Sequence, residues 1–262
     1  MSIKLVAVDL DGTLLDSSKR MPPDFISWVK EHSEIKTVIA SGRQYHTLVK
    51  DFPDSRDGLY IICENGAQIV MDGEIIFTNP MRTEDVLRVL EILKDVPNAV
   101  GIVCGVKSAY LPIVDEYTYG QTAVYYAKVM SVEDPAACAY EDDILKVAVY
   151  FKDADAESGI ERFRDLGEGV TAVLSGDSWI DVARSDVDKG SAIKFLLDKF
   201  GICREEACAF GDYLNDKSML EVCGESYCME NGHPDLKAIA KHIAPSNDED
   251  GVMRVLRHIN EN

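Results

Sequence analysis

The sequence predicts an α/β fold, a doubly wound parallel sheet interrupted by an α+β insertion, and three observations carry that prediction. Strand and helix patterns alternate at both ends of the chain, as a parallel sheet covered by helices requires. From Thr83 the alternation gives way to a mixed pattern. Turn-rich joints, Asn79-Pro80 and residues 185–188, flank the change. The implied division is a core of residues 1–82 and 187–262 with an inserted α/β domain of 83–186.

Each element has its own local reason. Residues 3–8 form a β-branched, apolar strand, and Pro22 and Pro23 suit the first turn of a helix over 22–32 that carries Phe25, Ile26, Trp28 and Val29. A strand at 36–40, a helix at 43–51 and a strand at 59–63 continue the alternation. Asp72-Gly73 between two short apolar runs is a strong two-residue hairpin signal and extends the sheet edge. The insertion reads as a helix (84–94), strands (99–104, 109–114), a stretch to 143 without clear pattern, a strand (144–151), a helix (154–166) and two strands (170–174, 179–183). Alternation then resumes: helix 190–200, strand 207–210, helix 215–222, strand 226–229, helix 234–240, and a last helix over 251–259.

With 262 residues the chain supports one large domain or two modest ones. Its 46 acidic and 27 basic residues give a formal charge of -19, which repels nucleic acid and anionic membrane surfaces and excludes both as partners. No apolar run approaches the length of a membrane span, and no cleavage-site pattern follows the start, so a cytoplasmic monomer or small homo-oligomer is expected. The seven cysteines contain no C-x-x-C pair and read as reduced core thiols; no histidine pair at ligand spacing supports zinc.

Residues 5–15 read LVAVDLDGTLL. Asp9 emerges at the carboxyl end of a strand, where open α/β sheets bind ligands. Asp11 lies two residues on, and two carboxylates this close require a cation or one raised pKa. An Asp-Gly turn would explain the pair in isolation. Three other segments also stand at strand ends or helix starts: Ser41-Gly42-Arg43, Lys189-Gly190, and Gly211-Asp212 with Asn215-Asp216. Competing motifs fail: Lys189-Gly190-Ser191 has the wrong order for a P-loop, no G-x-G-x-x-G follows the first strand, and a calcium loop from Asp248 would need a glutamate where Arg257 stands. Helix N-capping is the expected role of the acidic residues at 248–250.

In order, type and placement these segments resemble the four motifs of the haloacid dehalogenase superfamily, over the whole chain. Glu64-Asn65-Gly66-Ala67, the 247–252 segment and the large insertion resemble its Cof-type (type IIB) branch. The resemblance implies a Rossmann-like core with a cap domain that closes over the substrate, and a magnesium-dependent phosphatase of small phosphorylated metabolites, sugar phosphates first. A carboxylate can attack phosphorus and split hydrolysis into two displacements; the resemblance makes Asp9 that nucleophile. Asp11 is placed to protonate the leaving oxygen and then deprotonate water, and an aspartate there marks phosphatases and phosphomutases within the superfamily.

Asp9 and Asp212 supply carboxylates to Mg²⁺, and the family pattern adds the Asp11 backbone carbonyl. Ser41, the Gly42 amide, Lys189 and Asn215 are expected at the phosphate. Asp216 reads as support or a phosphate contact; Arg43 is either a phosphate-side cation or a surface helix residue, and Asn65 either a contact or plain Asn-Gly turn chemistry. In the insertion, Tyr110, Tyr117, Tyr125, Tyr126, Trp179 and Asp181 are candidate contacts, with packing as the plainer reading for the aromatics. A phosphomutase using the same two aspartates and a catalytically silent phosphate-ligand binding protein are the rival functions.

Overall fold

A computed structural model of the chain describes residues 2–53 and 58–259 and resolves two compact units, Met1–Phe77 with Asp188–Asn262, and Thr78–Val187. The first unit opens with β1 (Leu5–Asp9), buried along its whole length, as the unbroken apolar run before Asp9 requires of a strand covered on both faces. α1 (Phe25–Glu31) starts later than the two prolines predict. Pro23 pushes Pro22 towards extended backbone, and Phe25 N donates to Pro22 O at 3.1 Å in a turn ahead of the helix. β2 (Lys36–Ala40), α2 (Tyr45–Asp51) and β3 (Leu59–Cys63) follow. β4 (Gln68–Met71) and β5 (Glu74–Thr78) are joined by Asp72 and Gly73 at φ 50° and 82°, the two positive values that a type I′ hairpin turn demands.

The second unit contains α3 (Thr83–Leu93), β6 (Ala99–Gly105), β7 (Ala109–Pro112), α4 (Glu116–Ala123), β8 (Val129–Val132), α5 (Pro135–Cys138), β9 (Ile144–Phe151), α6 (Ala156–Gly159), β10 (Val170–Gly176) and β11 (Trp179–Arg184). Its strands form one sheet in the order β10-β11-β9-β6-β7-β8. The stretch without clear pattern holds α4, β8 and α5, set by caps rather than periodicity: Asp115 and Asp134 accept from Thr118 N and Ala136 N, both at 2.9 Å. The helix expected over 154–166 shrinks to α6 and a 3-10 turn. Gly159 lies against the Phe151 ring, where any Cβ would collide, and glycine weakens a helix interior.

Valines 86 and 89 of α3 pack on one face of this sheet with Val103, Val147, Val149 and Phe151. The other face gathers Ile102, Cys104, Ala148 and Tyr150 with Tyr126. Among the candidate contacts, Tyr110 is buried and donates to Asp142 Oδ2 at 3.0 Å, while Tyr117 and Tyr125 are exposed. The Trp179 ring centroid lies 5.1 Å from those of Tyr125 and Tyr150, and Asp181 pairs with Lys146 at 3.2 Å.

The chain returns to the first unit through α7 (Lys189–Phe200), with an Asp188/Ser191 capping box at its start and left-handed Gly201 (φ 62°) at its end. β12 (Ala207–Gly211), α8 (Lys217–Val222), β13 (Glu225–Met229), α9 (Pro234–Lys237), β14 (His242–Ala244) and α10 (Gly251–Leu256) complete it. The three-residue β14 lies outside every sequence expectation. Sheet order is β14-β13-β12-β1-β2-β3-β4-β5, and β1 runs parallel to both β12 and β2. The chain winds outward in opposite senses from β1 and β12, so the topological switch point falls between their carboxyl ends. Asp9 and Asp212 stand there.

One apolar layer joins Val6, Val8, Ile39 and Ile61 to Phe25, Trp28 and Val252; the other joins Leu5, Ala7, Val38 and Ile62 to Ile193, Leu196 and Met219. All seven cysteines are free, Cys203 alone being exposed. Asp248 does not cap a helix through its side chain: its carboxylate accepts from Ser17 N and Oγ, both at 2.7 Å. Among the described residues no helix is long and apolar enough to cross a membrane.

Candidate active site

The switch point gathers charge that an apolar core would otherwise exclude. Asp9 ends β1 and is buried; Lys189, the first residue of α7, is wholly inaccessible. Lys189 Nζ donates to Asp9 Oδ1 and to Asp216 Oδ1, each at 2.6 Å. A lysine at a helix start is ordinarily solvated; this one is buried between two carboxylates. Asp216 Oδ2 accepts from the backbone N–H of Asp212 and Tyr213 at 2.9 and 3.1 Å, which fixes the turn after β12. Thr13 Oγ1 donates to Asp212 Oδ1 at 2.9 Å. Gly12 (φ 87°) is required twice over, by its left-handed backbone and because a Cβ would collide with the Asp212 carboxylate.

Three carboxylates, from Asp9, Asp212 and Asp216, offer oxygens within 4.8 Å of one another. Burial, the largest effect, and the charge of Asp216 push the Asp9 carboxyl up against the pull of Lys189. Burial likewise raises Asp212 to about 6, against its hydrogen bond from Thr13. Burial alone would lower Lys189, but Asp9 and Asp216 together hold it above the usual lysine value. One ammonium does not balance three carboxylates. An all-oxygen donor set with surplus negative charge fits a hard divalent cation, whose charge would offset the burial and the mutual repulsion that raise Asp9 and Asp212.

Asp11 faces elsewhere. Arg43 Nε donates to its Oδ2 at 2.9 Å and Nη2 to its Oδ1 at 2.6 Å, while Lys19 Nζ reaches Oδ1 at 2.8 Å. Burial opposes ionisation, yet these two cations hold the carboxyl below its ordinary value. The acidic cluster thus takes its third carboxylate from Asp216, and the Asp11 side chain stands apart from it with Arg43. Arg43 also pairs with Asp51 at 3.0 Å, so it is not a free surface residue.

Ser41 is buried and its Oγ accepts from Arg43 N at 3.2 Å; it does not cap α2, whose N-cap is Gln44. A Cβ on Gly42 would meet the Asn65 carboxamide at 3.1 Å, and Asn215 Nδ2 donates to Asn65 Oδ1 at 3.3 Å. Ser41, Gly42, Asn65 and Asn215 therefore form one group, and Gly66, next to Asn65, lies against the backbone of Asp188 and Lys189. Glu64 and Asn65 both hold positive φ, 48° and 54°, strain of order 1–3 kcal/mol each that concentrates at functional sites.

Lys19, Thr13 and Asn231 complete the surroundings without having been singled out as site residues in the sequence. Asn231 Nδ2 donates to Gly12 O at 2.7 Å, and its Oδ1 accepts from Asn247 N at 3.1 Å. Buried Asn247 in turn donates to Leu15 O at 2.8 Å, tying the loop after β1 to the chain's far end. A signal for Asn231 exists: Glu-Asn-Gly occurs after β3 at 64–66 and again after β13 at 230–232. Lys19 has no such signal, being a left-handed residue (φ 60°) in an irregular loop.

A sequence model of haloacid dehalogenase-like hydrolases matches residues 6–256. The chain belongs to that family. The 5-amino-6-(5-phospho-D-ribitylamino)uracil phosphatase of Escherichia coli is 31% identical over 267 residues, covering 98% of both chains. A phosphatase of Bacillus subtilis is 26% identical over 98% of this chain and 100% of its own. Among solved structures, SMU.1108c of Streptococcus mutans has a TM-score of 0.86 at 27% identity over the whole of both chains. The HAD subclass IIB sugar phosphatase BT4131 shares the fold, with a TM-score of 0.78 at 21% identity over 97% of this chain and 98% of its own. The motif resemblance read from the sequence is correct, and the chain is a phosphatase of the haloacid dehalogenase family.

Proposed function

We propose that this phosphatase hydrolyses small phosphorylated metabolites, sugar and sugar-alcohol phosphates first, with Mg²⁺ and through an aspartyl-phosphate on Asp9. The observation that carries the reading is a buried Asp9 at the switch point, bonded to Lys189 and flanked by Asp212 and Asp216. The ribityl phosphate in the name of the E. coli relative supports a polyol phosphate as substrate class. Mg²⁺, held by Asp9, Asp212 and Asp216, would supply positive charge to the phosphoryl oxygens.

An Asp9 carboxylate oxygen attacks phosphorus while the bond to the substrate oxygen breaks, and Asp11 gives that oxygen a proton. Water then attacks the phosphorus, Asp11 takes its proton, and the bond to Asp9 breaks to free phosphate. Ser41, the Gly42 amide, Asn215 and Lys189 bind and orient the phosphoryl group. At rest Arg43 and Lys19 hold Asp11 as the anion; an incoming phosphate monoanion competes with it for Arg43 and brings the proton that Asp11 passes to the leaving oxygen, which returns Asp11 to the anion that the second step uses. The insertion, 83–186, supplies substrate choice in the same reading.

The test is Asp9→Asn, which keeps shape but removes the nucleophile. The variant folds, releases no phosphate and carries no phosphoryl mass on its Asp9 peptide after acid quenching of a turning-over sample, whereas the parent does. Phosphate release at the parent rate by the folded variant would overturn the assignment.

A further inference from the structure

The turn after β3 adopts a backbone that its side chains resist. Glu64 (φ 48°), Asn65 (φ 54°) and Gly66 (φ 115°) are three consecutive residues of positive φ, and only the last is glycine. Its surroundings hold it there. Asn65 N donates to Ser41 O at 3.0 Å and Glu64 N to Arg43 O at 3.1 Å, while Gly66 presses so closely on the Asp188 carbonyl that a Cβ would collide. The turn is therefore welded to the Ser41-Gly42-Arg43 loop on one side and to the start of α7 on the other.

What this arrangement achieves is the placement of one carboxamide. Asn65 lies over Gly42, and its Oδ1 accepts from Asn215 Nδ2 at 3.3 Å. A primary amide has two donors at one end and an acceptor at the other. An asparagine beside an anion can thus face it in a favourable or an unfavourable sense, and something must choose.

We infer that Asn65 is a positioning residue for phosphate binding, fixing the Asn215 amide by accepting one of its two N–H groups. The second N–H then faces the anion held by Ser41, Gly42 and Lys189, and the Asn215 carbonyl is turned away. The inference rests on the phosphatase reading for the location of that anion. Without Asn65 the Asn215 amide is free to flip and set its oxygen against a phosphate oxygen.

The test measures inorganic phosphate binding by calorimetry with Mg²⁺ present, on the full chain and on Asn65→Ala, Asn65→Gly, Asn215→Ala and the Asn65→Ala/Asn215→Ala double variant. Asn65→Ala and Asn215→Ala each weaken phosphate binding about tenfold or more, the scale of one hydrogen bond to a charged group. The double variant is no weaker than either single one, because both remove the same donor. Asn65→Gly suits the positive φ, so its melting temperature rises while phosphate binding falls as in Asn65→Ala. KM for an aryl phosphate rises in the same ratio as the phosphate dissociation constant.

Additive losses, parent-like phosphate binding by Asn65→Gly, or no phosphate binding by the parent chain overturns the inference. A parent that binds phosphate yet hydrolyses no phosphomonoester overturns the phosphatase reading instead, and the binding series still decides the role of Asn65.

Discussion

Lys189 Nζ stands 2.6 Å from Asp9 Oδ1 across 180 residues of sequence, and the same nitrogen stands 2.6 Å from Asp216 Oδ1 with none of its side chain exposed. A buried charge with two opposite partners is costly to disturb. It links β1, the start of α7 and the turn after β12 into one electrostatic unit.

Replacing Lys189 with Met removes the cation that bonds both Asp9 and Asp216 and leaves two buried carboxylates facing each other. We expect a loss of about 3–5 kcal/mol in denaturant unfolding, the usual effect of breaking a buried pair from one side. Phosphate release stops as well. Millimolar Mg²⁺ restores part of the stability, since a cation that binds only the folded chain stabilises it. Parent-like unfolding of the variant without metal would show that the pair contributes no stability.

Asp11→Asn should fold normally, because its side chain is 37% exposed and its partners Arg43 and Lys19 reach solvent. Phosphate release falls by about 10²–10⁴, the typical contribution of a general acid and base. Alkyl phosphates lose more than aryl phosphates, whose leaving oxygen needs no proton. Equal losses for both would remove Asp11 from the role of acid.

Chelation should stop turnover and Mg²⁺ should restore it. Asp212→Ala raises the Mg²⁺ concentration needed and costs little stability, since among the described residues its side chain accepts from Thr13 alone. Asp216→Ala raises it too, but also lowers the melting temperature, because the Asp212 and Tyr213 amides lose their acceptor and Lys189 loses one of its two carboxylate partners. The two effects separate by titrating Mg²⁺ in activity and following thermal unfolding. Unchanged metal titrations in both variants would move the cation elsewhere.

What the sequence made legible is what periodicity and punctuation encode. Asp9, Gly211-Asp212 and Ser41 could be placed because each follows a short apolar run, and Lys189 because it opens an amphipathic helix. The α/β class followed from the same runs. Tertiary contact decided the rest: Asp216 enters the acidic cluster through a turn whose backbone N–H groups it binds, while the Asp11 carboxylate turns to Arg43 and Lys19. Neither spacing nor composition encodes where a side chain one turn further on will face. Elements set by caps, such as α4, or by close approach, such as α6 beside Phe151, were poorly legible for that reason.

The last prediction concerns the second unit, where buried Asp85 of α3 accepts from Arg82 Nε at 2.7 Å, Arg82 Nη2 at 3.0 Å and Arg88 Nη1 at 3.1 Å. The Arg82 hydrogen bonds first, then both positive charges, hold its carboxyl below the ordinary 3.8. A folded-state pKa below the unfolded value means stability that is fully present above 3.8 and lost as pH falls through the folded value. Asp85→Asn should therefore unfold more easily at pH 7, by about 1–2 kcal/mol, because both guanidinium groups remain solvated and the pair is only half desolvated. The difference between parent and variant narrows as pH falls below 3.8, where the parent carboxylate also takes up a proton. Urea midpoints measured at neutral pH and below that value give both numbers. A gap that stays constant across the series would mean that Asp85 stabilises α3 by packing and neutral hydrogen bonding, with no contribution from its charge.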